Sequence, residues 1–365
     1  MKNKGFTLVE LLAVIAILAI LVIIALPNVL KMFNDSKKNS FLTEAKTIYS
    51  EVSKKYISET MKGNKLTYIS SEDDTKLEMT GRNLQYCVLL NTDGSVKSMK
   101  VSNGEWIAEL PSGKKITDLK NADLKDGNLN DYDCYNPFRD DSWETIASNV
   151  KAGSTSNYHV GDEKEVDLGT TYGKHKVRIA NMSTPSECNQ NGFSQSACGF
   201  VVEFTDIITT HVMNPTNTNK GGWPGSQMKT FLDNDIYNSL PKELKSVIIT
   251  TETVSGHGPK DTNNFTSSDN LYLLAPKEIY ANWSDHDDTA RDKTRQLDYY
   301  KIKGVTTSNK NGAIKKNSEG TAAWWWLRCA FSSDYGGFYS VNDYGAQGYS
   351  NADYSSGVSP AFRIG

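Results

Sequence analysis

The chain has 365 residues, with 40 Lys and Arg against 43 Asp and Glu and a formal net charge of −3. That balance, with basic residues scattered rather than striped, argues against a general nucleic-acid binder. The length calls for two or three folding units, and the wealth of Asn, Ser, Thr, Gly and Tyr outside the N-terminal segment suits a protein whose bulk lies outside the cell.

From Phe6 to Leu26 Glu10 is the only charged residue, and a run of this length crosses a bilayer as a helix. Lys2 and Lys4 precede it, which favours holding that end in the cytoplasm. The small-residue cleavage site of a secretory signal does not follow. A carboxylate inside a membrane helix is costly and normally has a partner. Cutting after Gly5 would leave an amine on Phe6, four positions before Glu10, so the terminus of one subunit could pair with Glu10 of the next. A plain anchor carrying a stray glutamate is the alternative. Beyond Pro27, residues Phe41, Ala45, Ile48, Tyr49, Val52 and Tyr56 share one helix face. One helix is therefore expected over 6–60, its membrane or filament part being 6–26.

Strand signals run from Leu66 to about Asn136. Tyr86–Leu90 and Ser95–Val101 flank Asn91-Thr92-Asp93-Gly94, a hairpin turn sequence, and Asn103-Gly104 turns the chain towards Trp106-Ile107. A boundary is expected in Asn136–Asp141. It gives a leader over 1–5, the helix, a β head over 61–141 and a further domain over 142–365. In the last, His175–Ala180, Gly199–Phe204 and Leu271–Leu274 read as short runs. Phe231-Leu232, Ile236-Tyr237, Leu240 and Leu244 read as short helices interrupted by Pro241. The whole is an α+β protein.

Five cysteines fit an extracellular location if some are paired. Cys87 and Cys134 are one candidate disulfide; Cys188 and Cys198, closing a short polar loop, are the better one. Cys329 is left over. No C-x-x-C spacing suggests a zinc or redox centre, and the five histidines show no ligand spacing. Asp285-His286-Asp287-Asp288 reads as an acidic loop before it reads as a calcium site. No nucleophile with its base and no phosphate-cradling loop is legible, so neither an enzyme, a metal nor a cofactor is expected.

The segment 329–356 lacks Lys, Glu, Met and Trp and carries tyrosines at 335, 339, 344, 349 and 354. Glycines at 336, 337, 345 and 348 oppose a helix, leaving loops and short strands. Every residue in it except Gln347 can be encoded by a codon ending in a pyrimidine and reached from Asn or Ser codons by changes at adenines. The Tyr/Ser/Gly/Asn vocabulary is that of a paratope. Ser332, Ser333, Asp334, Tyr335, Tyr339, Asn342, Asp343, Tyr344, Tyr349, Asn351, Asp353 and Tyr354 are the expected contact residues. Trp324 to Leu327, Val341, Val358 and Phe362 are the expected core. A fixed Gly- and Tyr-rich loop region is the alternative.

Gly5-Phe6-Thr7-Leu8-Val9-Glu10 resembles the cleavage and methylation motif of type IV prepilins and pseudopilins. The resemblance implies that prepilin peptidase cuts after Gly5 and methylates Phe6, that Glu10 guides assembly with other pilin subunits, and that Pro27 bends the helix. It also implies a small antiparallel β head. Trp-Trp-Leu-Arg, Gly221–Pro224, Thr294–Tyr300 and the closing Gly-Val-x-Pro-Ala-Phe resemble an uncharacterised C-terminal domain of surface and phage-related bacterial proteins. That pattern is similar to the C-type-lectin-like fold of formylglycine-generating-enzyme relatives and of variable proteins of diversity-generating retroelements. The oxidases of that group need a cysteine pair late in the chain, and Cys329 stands alone there. The expectation is a minor or tip pilin with an adhesin or receptor head for an unknown surface ligand, protein or glycan. A pseudopilin of a secretion or DNA-uptake filament is the alternative. The chain is expected as a single-pass protein of the cytoplasmic (inner) membrane, then in an extracellular pilus or at the cell surface.

Overall fold

The computed structural model describes residues 8–63, 66–71, 76–78, 84–91, 93–129, 136–284 and 293–365. Gly5, Phe6, Cys134 and the 285–288 acidic run lie outside these residues. The chain divides into two compact units, Met1–Tyr135 and Asn136–Gly365.

In the first unit, helix α1 spans Leu8–Met61 and continues through Pro27. It is long and apolar enough, by length and composition, to cross a membrane. Its large apolar side chains from Leu8 to Phe33 are exposed. Farther along, Phe41, Leu42, Ala45, Ile48 and Val52 are buried on a sheet, with Tyr49 and Tyr56 packed at the margin. That sheet is a meander, β1 Tyr68–Ser70, β2 Gln85–Leu90, β3 Val96–Ser102, β4 Trp106–Leu110 and β5 Lys125–Asp126, hydrogen-bonded in chain order. Alternation places Val88, Met99, Val101, Trp106, Ala108 and Leu110 under α1. The turn between β2 and β3 closes with Gly94 N–H on the Asn91 carbonyl at 2.9 Å. Gly94 has φ +82°, and a Cβ there would stand 2.2 Å from the Tyr56 ring, so both backbone and helix packing demand glycine. Cys87, in β2, is disulfide-bonded.

The second unit begins at Asn136, the first residue of the expected boundary stretch and six residues before the expected start of the last domain. Asn136 caps helix α2 (Pro137–Asp140) by accepting the Arg139 N–H at 3.0 Å. Phe138 is fully buried, its ring 5.9 Å from that of Trp143. Thus Asn136–Asp141, expected as the boundary, is a capped helix anchored in the second unit by an aromatic residue. Helix α3 (Trp143–Lys151) follows, capped by Ser142.

Two five-stranded sheets and a hairpin form the body of this unit. The first sheet has the order β10-β17-β8-β7-β6 and is antiparallel: β6 Glu163–Asp167, β7 Lys174–Asn181, β8 Val201–Phe204, β10 Ile248–Ile249 and β17 Ala361–Ile364. The second has the order β15-β14-β13-β16-β9: β9 Thr209–Val212, β13 Trp325–Ala330, β14 Gly337–Val341, β15 Gln347–Asn351 and β16 Ser355–Val358. Only its β13–β16 pair is parallel. Strands β11 (Thr251–Ser255) and β12 (Phe265–Asp269) pair with each other. Leu271–Leu274 is fully buried but is no strand; Tyr272 makes an isolated bridge to Ala361, and the Leu273 and Leu274 carbonyls accept from Arg328. Cys188 and Cys198 form a disulfide with Cα atoms 5.9 Å apart.

Candidate ligand-binding face

Strands β13 and β14 are buried along their whole length, and β15 at the sheet edge is half-buried or exposed. Trp325, Trp326, Leu327, Phe338, Val341, Val358 and Phe362 are all fully buried. Trp324 departs from the expected core: it precedes β13 and is 42% exposed, and a Cβ on Gly348 would stand 3.3 Å from its ring. The segment 329–356 thus divides into a rigid inner frame and three connections.

The three connections do not make one surface. β14 runs against both β13 and β15, with Gly337 opposite Asn351, so the 331–336 loop that enters β14 and the 352–354 turn that leaves β15 share one end of the sheet. Ala352 N–H donates to the Gly336 carbonyl there at 2.9 Å. Ser333, Tyr335, Asp353 and Tyr354 are exposed at that end, with Ser332, Asp334 and Asn351 half-buried beside them. Asp343 and Tyr344 sit on the 342–346 turn at the opposite end, about 13 Å away by strand length. The regular tyrosine spacing in the sequence therefore maps to two ends and an edge.

Three expected contact residues do other work. Tyr339 is buried: it faces Trp283 edge-on at 5.0 Å and Phe331 at 5.3 Å, because β14 lies inside the sheet and is covered on both faces. Asn342 uses its Oδ1 to accept the Tyr344 and Ala346 N–H groups at 3.0 and 2.9 Å. It shapes the turn in which Gly345 has φ +77°. Asp334 Oδ1 likewise accepts the Gly336 N–H at 2.7 Å.

The loop at the shared end is held from beneath by a residue to which the sequence reading assigned no role. Asn219, fully buried, donates from Nδ2 to the carbonyls of Asp334 at 2.6 Å and Gly337 at 2.9 Å. Its N–H donates to the Tyr335 carbonyl. Lys260 Nζ stands 5.7 Å from the Tyr335 ring centroid. Asn219 is more than a hundred residues from this loop in the chain, so local pattern carries no signal of it.

Along the edge, Trp283, Ser284, Phe331, Tyr339, Gln347, Gly348 and Tyr349 line an open groove of about 570 Å³. Tyr349 is 51% exposed and stacks on Phe331 with centroids 4.0 Å apart and planes 12° from parallel. Gly337 lies beside the pair; a Cβ there would be 3.1 Å from the Tyr349 ring and 3.4 Å from the Phe331 Cβ. Stacking of this kind presents a flat aromatic surface whose orientation is already set before a ligand arrives. Among the described residues no cluster of three or more His, Cys, Asp or Glu could hold a metal.

Residues 1–26 match the family described as a prokaryotic N-terminal methylation motif. Residues 201–365 match a domain of unknown function, DUF6273. No curated protein and no solved structure matches the chain. The N-terminal match makes the start of the chain type IV prepilin-like, which implies processing by prepilin peptidase and assembly with other pilins. An apolar helix behind that motif is consistent with membrane anchoring before assembly. The C-terminal match opens at the first residue of β8 and leaves out β6 and β7, which complete the sheet on that side. The folded unit is therefore larger than the matched region.

Proposed function

We propose that this protein is a minor or tip pilin-like surface protein whose second unit is a non-catalytic adhesin or receptor head of C-type-lectin-like fold. The exposed aromatic edge, Tyr349 stacked on Phe331 beside the Tyr335 and Tyr354 loops, carries this reading. A stalk or spacer gains nothing from exposed rings that cost solvation, whereas a binding face gains contact area at low entropy cost. The buried frame of Trp325, Trp326, Phe338 and Phe362 supports it, since a contact surface needs a scaffold that does not move.

Retroelement diversification of 329–356 belongs to the same proposal, and the fold limits where it acts. Variation is admissible at Ser333, Tyr335, Tyr344, Tyr349, Asp353 and Tyr354, which are exposed. It is barred at Gly345, which has φ +77° and where a Cβ would meet the Lys310 carbonyl at 2.2 Å, whereas at Gly336 a Cβ would require the exposed Asn217 side chain to move. Sequencing the locus in several isolates tests this: a reverse-transcriptase gene and a near-copy of codons 324–362 differing only at adenines is the expected result.

Binding itself is tested by probing protein and glycan arrays with the full chain in detergent. Saturable binding lost on combining Tyr335→Ala, Tyr349→Ala and Tyr354→Ala is expected. A chain that assembles into filaments yet binds nothing on either array would favour the pseudopilin reading, which shares the same cleavage motif.

A further inference from the structure

Strand β15 ends its sheet, and its backbone pattern shows which groups are left over. Asn342 N–H donates to the Ala346 carbonyl, and Ala352 N–H to the Gly336 carbonyl. On the far side of β14, Phe331 N–H donates to the Gly337 carbonyl. With the unbroken register Gly337↔Asn351 to Val341↔Gln347, these bonds direct Gly348 and Ser350 towards β14. Gln347, Tyr349 and Asn351 then point their backbone outward. The Asn351 carbonyl is taken by the Tyr354 N–H. Both backbone groups of Gln347 and Tyr349 and the N–H of Asn351 remain, and among the described residues none of them has a backbone partner across the edge.

Edge strands in soluble proteins are normally blunted by a charge, a proline or a bulge. β15 has the sequence Gln-Gly-Tyr-Ser-Asn, with none of these. Outward groups repeating every two residues, about 7 Å apart, complement another extended backbone. The surroundings specify its charge. Residues 329–356 contain Asp334, Asp343 and Asp353 and no Lys, Arg or Glu. Asp343 lies beyond one end of β15 and Asp353 beyond the other, while Lys260 is the basic group at the Tyr335 ring. The groove alongside, with Trp283 and the Phe331–Tyr349 stack, is uncharged and aromatic.

We infer that β15 is a docking edge for an extended, positively charged polypeptide segment, which adds as a sixth strand and lays apolar side chains into the aromatic groove. This deepens the proposed function by naming the ligand class and rests on it. A second copy fits less well: antiparallel pairing of two β15 strands would bring the Asp343 end of one copy beside the Asp353 end of the other, like charge to like.

The test screens a displayed library of random nine-residue peptides against the full chain in detergent. Enriched peptides should carry net positive charge and alternate apolar residues. Resynthesised with backbone N-methyl groups on one set of alternate residues they should bind at least ten-fold more weakly, and on the other set unchanged. Gln347→Pro removes an outward N–H without touching the β14 ladder, so it should abolish binding with an unaltered melting curve. Equal effects from both N-methyl sets, or full binding by Gln347→Pro, would overturn the inference independently of how any variant folds. So would failure to enrich peptides, or a dimer by light scattering that Gln347→Pro dissolves. If array glycans bind in a Tyr349-dependent way while no peptide does, the strand-addition inference fails and the binding head stands. If neither binds, both fail.

Discussion

Arg328 in β13 and Glu278, fifty residues earlier, form a two-pronged ion pair with neither side chain exposed. Arg328 Nη1 donates to Glu278 Oε2 at 2.7 Å and Nη2 to Oε1 at 2.6 Å. Every remaining capacity near the pair is used: Arg328 donates to the Val254 and Leu273 carbonyls, while Glu278 accepts from Thr294, the Ala275 N–H and the Ser196 hydroxyl. The pair thereby ties β13, the base of the candidate face, to β11 and the Leu271–Leu274 segment. Removing one partner strands a buried charge, so Glu278→Ala should cost about 3–5 kcal/mol. Denaturant unfolding of the full chain, followed by tryptophan fluorescence, measures it.

Tyr349 and Tyr344 separate the two halves of the expected face. Both are exposed, but only Tyr349 belongs to the groove and its Phe331 stack. Tyr349→Ala should weaken ligand capture at least about ten-fold, the loss of roughly 1.4 kcal/mol, with little change in melting temperature. Tyr344→Ala, at the other end of the sheet, should leave capture unchanged. Titration of both variants against any ligand found on the arrays decides it.

Gly345 and Gly320 share φ +77°, yet only at Gly345 would a Cβ collide, 2.2 Å from the Lys310 carbonyl. Left-handed backbone alone costs an L residue about 1–2 kcal/mol. Gly320→Ala should therefore lose about that much. Gly345→Ala should lose distinctly more, since the β14–β15 turn and the Tyr280 hydroxyl bound to its carbonyl at 2.6 Å must shift. Paired thermal melts isolate the steric part.

Acid should unfold the second unit through two carboxylates. Burial alone would raise both pKa values, but it is outweighed. Asp298 is held below its ordinary 3.8 by Arg295 and by the N–H groups of Met182 and Ser183. Glu203 is held below its ordinary 4.5 by Arg178 and Lys315. A depressed folded value contributes stability that is present above the unfolded value and lost as pH falls through the folded one. The melting temperature should thus fall steeply below about pH 4, and Asp298→Asn should flatten that slope. His175 acts in the opposite sense: burial lowers its pKa, but the Asp206 carboxylate and the Tyr172 carbonyl raise it overall. Its contribution is complete below 6.5 and fades as pH rises through the folded value.

Assembly should depend on the first residues alone. Gly5→Ala and Glu10→Ala are each expected to abolish incorporation into filaments while the second unit keeps its melting transition. Immunoblots of sheared filament fractions report the first, and calorimetry the second. Normal incorporation of either variant would contradict the prepilin-like assignment.

Local pattern alone determined a good deal of this protein. The uninterrupted apolar run before Pro27, the helical spacing of Phe41, Ala45, Ile48 and Val52, and the Asn91–Gly94 turn are short-range signals, because helices and hairpins are built from neighbours in the chain. The composition of 329–356 likewise announced loops and short strands. Tertiary structure decided the rest. Tyr339 is buried and Trp324 exposed because the inner place of β14 in its sheet and the β13 start position, rather than residue type, decide what is covered. The tyrosines divide between two ends because β14 runs against its neighbours. Asn219 under the 331–336 loop, Glu278 against Arg328 and the outward backbone of β15 each join residues distant in sequence or depend on pairing register. No window of the chain contains both partners, and so only the folded sheet brings them together.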